Sequence, residues 1–278
     1  MAKILDKRDL APEIDLFTID APLVAQKAQP GHFVIVRASE TGERIPLTIV
    51  DYNRDEGTID LVIQAVGCST IELCNLEQGD EFLDLLGPLG EPIEIKEIGT
   101  VVCVAGGLGV APVYPKAKYL KEAGNKIISI VGAQTEEMLI MKDEMEEVSD
   151  EIYFATDDGT LGEKGFVTNI LDSLLDERDE VDEVVAVGPA VMMKAACEVT
   201  TEYDIDTIVS LNPIMIDGTG MCGGCRVTVD GERLFACVDG PAFDGHAVDF
   251  EELMMRQSHY EDEEEEAEHK CNLDREVE

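Results

Sequence analysis

Short apolar runs broken by turn signals fill the chain from Ala2 to Pro92. Ile14-Asp15-Leu16-Phe17-Thr18-Ile19, His32-Phe33-Val34-Ile35-Val36-Arg37, Leu47-Thr48-Ile49-Val50 and Thr58-Ile59-Asp60-Leu61-Val62-Ile63 each have the length of a strand. Pro30-Gly31, Thr41-Gly42, Glu56-Gly57 and Gln78-Gly79-Asp80 punctuate them. Many short strands at this spacing predict an antiparallel β-barrel. One short helix is expected from Ser69 to about Leu76, because Gly67-Cys68-Ser69-Thr70 offers a hydroxyl cap before an apolar pattern.

The period changes at Gly99. Thr100-Val101-Val102-Cys103-Val104-Ala105 is a continuous buried-strand run, followed by Gly106-Gly107-Leu108-Gly109-Val110-Ala111-Pro112 and a helical stretch from about Val113 to Ala123. Lys126 to Ala133 reads as a second buried strand, Glu136 to Val148 as a helix and Ile152 to Thr156 as a strand. Phe166 to Leu175 reads as a helix and Glu183 to Pro189 as a strand with a helix after it. Strict alternation of strand and helix predicts a parallel α/β sheet. Ligands bind beyond the carboxyl ends of such strands. Gly106, Gly107 and Gly109 lie at one end, where absent side chains let the backbone touch a diphosphate; Asp157-Asp158-Gly159-Thr160 and Gly188-Pro189 end two others. Three glycine-containing strand ends favour a nucleotide crevice over unrelated turns. Asp157 and Asp158 are equally readable as solvated turn residues.

The most informative stretch is Met215-Ile216-Asp217-Gly218-Thr219-Gly220-Met221-Cys222-Gly223-Gly224-Cys225, with Cys237 beyond it. Plant-type [2Fe–2S] proteins space their ligands Cys-x4-Cys-x2-Cys with a distant fourth Cys. The same frame occurs here with Asp217 in place of the first thiolate. Residues 226–236 read as a hairpin turning at Asp230-Gly231, which carries Cys237 back to the site. A structural zinc site also uses a Cys-x2-Cys pair but normally needs a second close pair or a His pair. Asp before Gly is also a common turn residue, so Asp217 has a second reading.

Two pieces of the barrel region are candidates for holding a flavin. Glu43-Arg44-Ile45-Pro46-Leu47-Thr48 supplies a guanidinium and a hydroxyl at a strand start, and Gly67-Cys68-Ser69-Thr70 opens a helix N-terminus suited to a pyrophosphate. Alone, each reads as well as a solvent-facing strand start or a capped helix that binds nothing.

Composition sets the remaining limits. The 278 residues are 45% hydrophobic, enough for two cores and a small appendage. No run of eighteen apolar residues occurs and the N-terminus lacks a signal-peptide layout, so a cytoplasmic protein is expected. Cys68, Cys74, Cys103 and Cys197 sit in apolar or small-residue segments and read as buried free thiols; Cys271 lies in the acidic tail without a visible role. His246 reads as an ordinary surface histidine. The formal net charge is −39; residues 251–278 hold twelve Asp/Glu against three Lys/Arg, so most of the acidity lies elsewhere. Nucleic acid and anionic membranes are therefore poor partners.

In this order, a flavin barrel, a Gly-Gly-Leu-Gly-Val-Ala-Pro nucleotide domain and a cluster loop resemble the ferredoxin–NADP reductase-like superfamily. Within it, about residues 1–250 resemble the electron-transfer subunit of dihydroorotate dehydrogenase. They are still more similar to the small subunit of NADH-dependent ferredoxin:NADP oxidoreductase, also called the sulfide dehydrogenase small subunit. The most specific part is Asp217 to Cys225, since the dihydroorotate subunit is expected to carry Cys at 217.

The resemblance implies FAD on Arg44, Pro46, Leu47 and Thr48, with Arg44 one residue further from the hydroxyl than usual, and on Val62, Ile63, Gln64, Gly67, Ser69 and Thr70. It implies NAD(H) or NADP(H) on Gly106, Gly107, Gly109, Ala111 and Pro112, with Asp157, Asp158, Gly188, Pro189 and Met192 lining the same crevice. Asp217, Cys222, Cys225 and Cys237 would hold the [2Fe–2S] cluster. Domains are expected at 1–96 (FAD-binding barrel), 97–203 (NAD(P)-binding α/β) and 204–250 (cluster-binding), with an acidic tail, 251–278, partly disordered.

The implied partner is a larger subunit with a second flavin and [4Fe–4S] clusters, in a heterodimer or higher assembly that reaches ferredoxin and bifurcates electrons. Leu253, Met254 and Met255 could dock that partner, but a core-facing helix stripe fits them as well. The alternatives are the dihydroorotate dehydrogenase subunit, a stand-alone NAD(P)H reductase of a soluble carrier, or a zinc-bearing nucleotide-binding regulator. Self-repulsion on the scale of −39 is most easily borne where salt screens it, which points to a saline cell interior. The expected outcome is a thermal midpoint that rises from millimolar to molar salt; equal midpoints would remove the inference.

Overall fold

The computed structural model describes residues 2–260 and residue 264. Cys271 and most of the expected disordered tail lie outside the described residues.

The barrel sheet takes β1 (Ala2–Ala11), β2 (Ile14–Asp20), β3 (Phe33–Arg37), β4 (Ile45–Asn53), β5 (Thr58–Gln64), β6 (Glu81–Phe82) and β7 (Asp84–Leu89). Their order is β6-β1-β2-β5-β4-β3-β7, with antiparallel neighbours, so strands consecutive in sequence stand at the two ends and the sheet nearly closes. Alternation along each strand separates two packed faces. Phe17, Ile19, Ile49, Leu61 and Ile63 fill the barrel, while Ile14, Leu16, Val50 and Val62 turn outward onto the second domain. Two short helices, α1 (Pro22–Ala25) and α2 (Cys68–Cys74), cover the barrel ends.

The second sheet is built from β8 (Thr100–Gly106), β9 (Lys126–Ala133), β10 (Glu151–Thr156), β11 (Glu163–Lys164), β12 (Glu183–Val187) and β13 (Asp206–Ser210). Its helices are α3 (Val110–Glu122), α4 (Lys142–Val148), α5 (Val167–Glu177) and α6 (Ala190–Glu202). A hairpin of β14 (Arg226–Val229) and β15 (Glu232–Phe235) follows. The chain then adds β16 (Ala242–Asp244) antiparallel to the edge of the second sheet, giving β11-β10-β9-β8-β12-β13-β16. The last helix, α7 (Phe250–Gln257), packs Phe250 and Leu253 against the hairpin residues Val227 and Val229. Among the described residues no helix is long and apolar enough to cross a membrane.

Most strands and helices fall where the hydrophobic pattern puts them; among the differences, β16 adds an antiparallel edge to the sheet expected to be parallel. The expected helix over 136–148 is broken: a single 3₁₀ turn, Glu136–Met138, precedes α4. Leu139, Ile140 and Met141 are all buried. Three consecutive residues on a helix sweep about 200° of arc, too wide for one buried face. The chain instead extends through Leu139 and enters α4 with Met141 left-handed at φ 54°. Cys68 and Cys74 are half-buried, unlike the buried Cys103 and Cys197, because short α2 lies at the barrel rim. Finally, β1 and β13 complete the two sheets, although neither stands out in the hydrophobic pattern.

The junction into the second sheet is held by Asn125, which is almost fully buried. Its Oδ1 accepts from the amides of Ile98 (2.6 Å) and Gly99 (2.9 Å), and its Nδ2 donates to the carbonyls of Lys96 and Leu120 (2.8 Å each). One side chain thus satisfies the linker and the end of α3. Asn125→Ala leaves two half-buried amides without their acceptor and is expected to cost about 2 kcal/mol, measured as a lowered denaturant midpoint with an unaltered slope.

Candidate functional site

The chain runs β8, β9, β10 outward in one direction and returns to β12 and β13 on the other side of β8. Connections therefore diverge between β8 and β12, and the crevice at their carboxyl ends is the topological switch point of the sheet. A cavity of about 640 Å3 opens there. Gly106, Gly107, Gly109, Ala111, Pro112, Gly188 and Pro189 line its sheet side; Pro46, Leu47, Thr48, Val62 and Gln64 line its barrel side.

The glycines are required by close approach. A Cβ on Gly109 would collide with the carbonyl of Val187, so bare backbone lets the turn before α3 rest on β12. Gly106 and Gly188 face Met192, whose Sδ and Cε stand 2.9 Å from where a Gly188 Cβ would be. Met192 thus packs over the two strand ends without lining the cavity.

Other expected residues lie elsewhere. Ile63 is wholly buried inside the barrel because alternation turns it away from Val62 and Gln64. Arg44 is exposed at the start of β4. Gly67, Ser69 and Thr70 sit at the α2 N-terminus, outside the cavity wall. Thr70 Oγ1 accepts from the amides of Val66 and Gly67, both at 3.0 Å, and Ser69 Oγ donates to Glu43 at 3.3 Å. That last contact joins the two expected flavin segments.

Asp157 and Asp158 are exposed in the turn after β10 and do not reach the cavity. Asp158 accepts from the hydroxyl and amide of Thr160 at 2.7 and 3.0 Å, which holds its carboxyl below the usual range. Their place is taken by Ala133, Gln134 and Met138 after β9. Ser210, Leu211, Asn212, Pro213 and Met215 after β13 complete the wall. The rule of carboxyl strand ends would have found both groups, but β13 is short and its apolar run is interrupted by Thr and Ser.

The cavity wall continues into the cysteine loop. Met215 lines the cavity two residues before Asp217, and Gly218 (φ 71°) lies so close to the barrel that a Cβ would meet Leu89 and Ile35 at 2.7 and 2.9 Å. Within the loop, Asp217 accepts from the amides of Thr219 (2.8 Å) and Cys222 (2.7 Å). Those bonds, Thr219's first, hold its carboxyl below the usual range.

Each sulfur also faces an amide: Gly220 N–H toward Cys237 at 3.2 Å, Gly224 toward Cys222 and Cys237 toward Cys225 at 3.4 Å. Burial, with Cys225 beside it, pushes the Cys237 thiol up to about 12. A bound metal would supply the positive charge that a thiolate at Cys237 needs. Among the described residues no three His, Cys, Asp or Glu side chains converge on the point a single ion would need. Three cysteine sulfurs with amides aimed at them, in one loop and hairpin, fit an iron–sulfur cluster. The hairpin returns Cys237 through a turn with Asp230 at φ 50° and Gly231 at φ 74°, both left-handed as a two-residue hairpin loop requires. His246 is a structural group, with its ring against Thr201 Oγ1 (2.9 Å) and the Ile205 carbonyl (3.0 Å).

Comparison with known proteins agrees with this geometry. Residues 103–198 match the oxidoreductase NAD-binding domain, and residues 212–249 match the iron-sulfur cluster binding domain of dihydroorotate dehydrogenase B. A dihydroorotate dehydrogenase B (NAD(+)) electron transfer subunit homolog from Thermotoga maritima is 49% identical over 94% of this chain and 92% of its own. The chain belongs to this family of electron-transfer subunits. A solved structure of NADH-dependent reduced ferredoxin-NADP oxidoreductase, determined for insight into flavin-based electron bifurcation, superposes with a TM-score of 0.93. It is 47% identical and covers 98% of both chains. Phthalate dioxygenase reductase, 15% identical with a TM-score of 0.60 over 88% of this chain and 95% of its own, shares the fold. The chain is thus an oxidoreductase electron-transfer subunit with an NAD-binding and an iron–sulfur cluster binding domain, and its relatives are subunits of larger enzymes.

Proposed function

We propose that this subunit passes electrons between NAD(H), FAD and a [2Fe–2S] cluster inside a cytoplasmic, electron-bifurcating ferredoxin:NADP oxidoreductase. The single observation that carries the reading is the shared wall. One cavity is bounded by barrel strands, by glycine strand ends and by the Ser210–Met215 segment that runs straight into the cysteine loop. Its partner would be a larger subunit with a second flavin and [4Fe–4S] clusters, in a heterodimer or higher assembly that reaches ferredoxin.

The roles of individual residues follow from their positions. Pro46, Leu47, Thr48, Val62 and Gln64 present one barrel face to a flavin ring, and the Ile63 backbone runs between them. Arg44, Gly67, Ser69 and Thr70 lie around the barrel end nearest α2 and would meet the rest of FAD. The bare backbone at Gly106, Gly107 and Gly109, followed by Ala111 and Pro112, admits a dinucleotide diphosphate at the start of α3. Gly188 and Pro189, backed by Met192, would orient the nicotinamide toward the barrel, while Asp157 and Asp158 stand further out on the same edge. Residues 1–96, 97–203 and 204–250 would then carry FAD, nicotinamide and cluster, with β13 and β16 of the last segment completing the nicotinamide sheet.

Asp217 and Cys222 form the outer pair of cluster ligands, joined by the Cys222 amide; Cys225 and Cys237 form the buried pair. The hydride and single-electron chemistry would be supplied by the nicotinamide, flavin and cluster that these residues would hold. The protein need supply no general acid or base. It contributes orientation and a mostly apolar cavity.

Anaerobically purified protein is expected to be coloured, with flavin and iron–sulfur absorption, and to contain FAD, iron and acid-labile sulfide. Colourless, iron-free protein would exclude the reading. Asp217→Cys is expected to keep the cluster while moving its reduction potential and EPR signature, since a thiolate is a softer donor than a carboxylate. An unaltered EPR spectrum would show that Asp217 does not touch iron.

A further inference from the structure

The cysteine loop is held from outside by a residue that neither the ligand spacing nor the cavity identifies. Arg256, in the last turn of α7, donates from Nη2 to the carbonyl of Gly224 at 2.9 Å, between Cys222 and Cys225. Its neighbour Gln257 donates to the carbonyl and side-chain oxygen of Asn212 at 3.1 and 3.0 Å, on the other approach to the loop. The helix is itself anchored to the cluster hairpin. Asp249 caps it by accepting from Glu252 N–H at 2.9 Å, and the Asp249 amide donates to Thr228 of β14 at 2.9 Å. Phe250 and Leu253 bury in the same core as Cys225 and Cys237.

Arg256 differs from the arginines that pair with carboxylates. There are 60 acidic residues for 21 basic ones, and Arg8, Arg37 and Arg178 each have a carboxylate partner. Among the described residues Arg256 has none, and its Nε is buried without an acceptor. Arg226, which donates to the Gly223 carbonyl at 3.2 Å, likewise has no carboxylate partner there. A buried guanidinium nitrogen left without an acceptor is costly. Two cations are thus drawn to successive carbonyls of the one loop where the family chemistry places thiolates and sulfide.

We propose that Arg256 is a positioning residue for the cluster: it fixes the Gly223-Gly224 backbone between two ligands and supplies positive charge that raises the cluster's reduction potential. The inference rests on the cluster reading above. A nearby cation favours the reduced, more negative cluster, so losing it lowers the potential.

The test uses the full chain, purified anaerobically with FAD and cluster, as wild type, Arg256→Lys and Arg256→Gln. Iron and sulfide are assayed, and cluster and flavin potentials are followed by EPR- and absorbance-monitored redox titration. Lysine is expected to keep cluster content and a near-wild-type potential. Glutamine is expected to shift the cluster potential negative while the flavin potential stays in place. Loss of the cluster in the Gln variant, with retention in the Lys variant, also supports the proposal. A Gln variant with full cluster and wild-type potential overturns it. So does a Lys variant that shifts as far as Gln, or loss of cluster in both, because α7 would then act through packing alone. Iron-free wild-type protein overturns the cluster reading itself, and the wild-type assay tells that failure from the others.

Discussion

The structure depends on how closely the cysteine loop can lie against the barrel. Gly218 has no side chain and a left-handed backbone, and it rests where any Cβ would strike Leu89 of β7 and Ile35 of β3. This close seat brings the cluster loop onto the barrel whose other strands line the cavity. Electron transfer between two bound groups needs proximity above all, and here proximity comes from bare backbone packing. The buried sulfurs of Cys225 and Cys237 join the same core as Phe33 and Ile35, so loop, hairpin and barrel form one packed unit.

A second constraint places the dinucleotide. The strand order reverses beside β8, and only there do two successive strand ends open away from each other. Gly106 and Gly188 occupy those ends, and Gly109 lets the following turn rest on the Val187 carbonyl. The barrel closes the crevice from the other side because the outward residues of β2, β4 and β5 pack on the α3 face of the second sheet. Lys118 of α3 reinforces that contact by donating to both oxygens of Asp51 on β4, at 2.9 and 2.7 Å. Two folds that each leave one side of a ligand open thus complete one cavity.

Much of this was legible in the chain, and the misses have physical causes. Continuous apolar runs identify β8, β9 and β12 because a parallel sheet buries both faces. The Asp230-Gly231 turn identifies the hairpin because few other pairs adopt two left-handed residues. The break at Leu139 to Met141 was hidden because buried residues score alike in helix and in extended chain. Asp157 and Asp158 obey the strand-end rule yet turn outward, Asp158 tied to Thr160, while Gln134 obeys it and lines the cavity. Spacing names the strand end but not the direction its loop takes. Arg256 was hidden for another reason: its partner is a backbone carbonyl 32 residues away, and no side-chain pattern records such a contact.

The donor set has an inner and an outer side, and this difference orders the path. Cys225 and Cys237 are almost fully buried next to the barrel, whereas Cys222 is exposed. Beside it, Ile216 and Met221 expose apolar side chains, Met221 at 88% of its surface. On the proposed ligand assignment, two of the donors, Cys225 and Cys237, are buried and the other two, Asp217 and Cys222, lie nearer solvent. Cys225 and Cys237 would hold a cluster from the core side, while Asp217 and Cys222 would face it from the more exposed side. The polar, harder donor belongs on that outer side, because a carboxylate keeps its hydration and loop hydrogen bonds there, whereas burial would charge its full desolvation cost. The aspartate in the Cys-x4-Cys-x2-Cys frame therefore lies on the outer side of the loop, where a carboxylate costs less than it would beside Cys225 and Cys237.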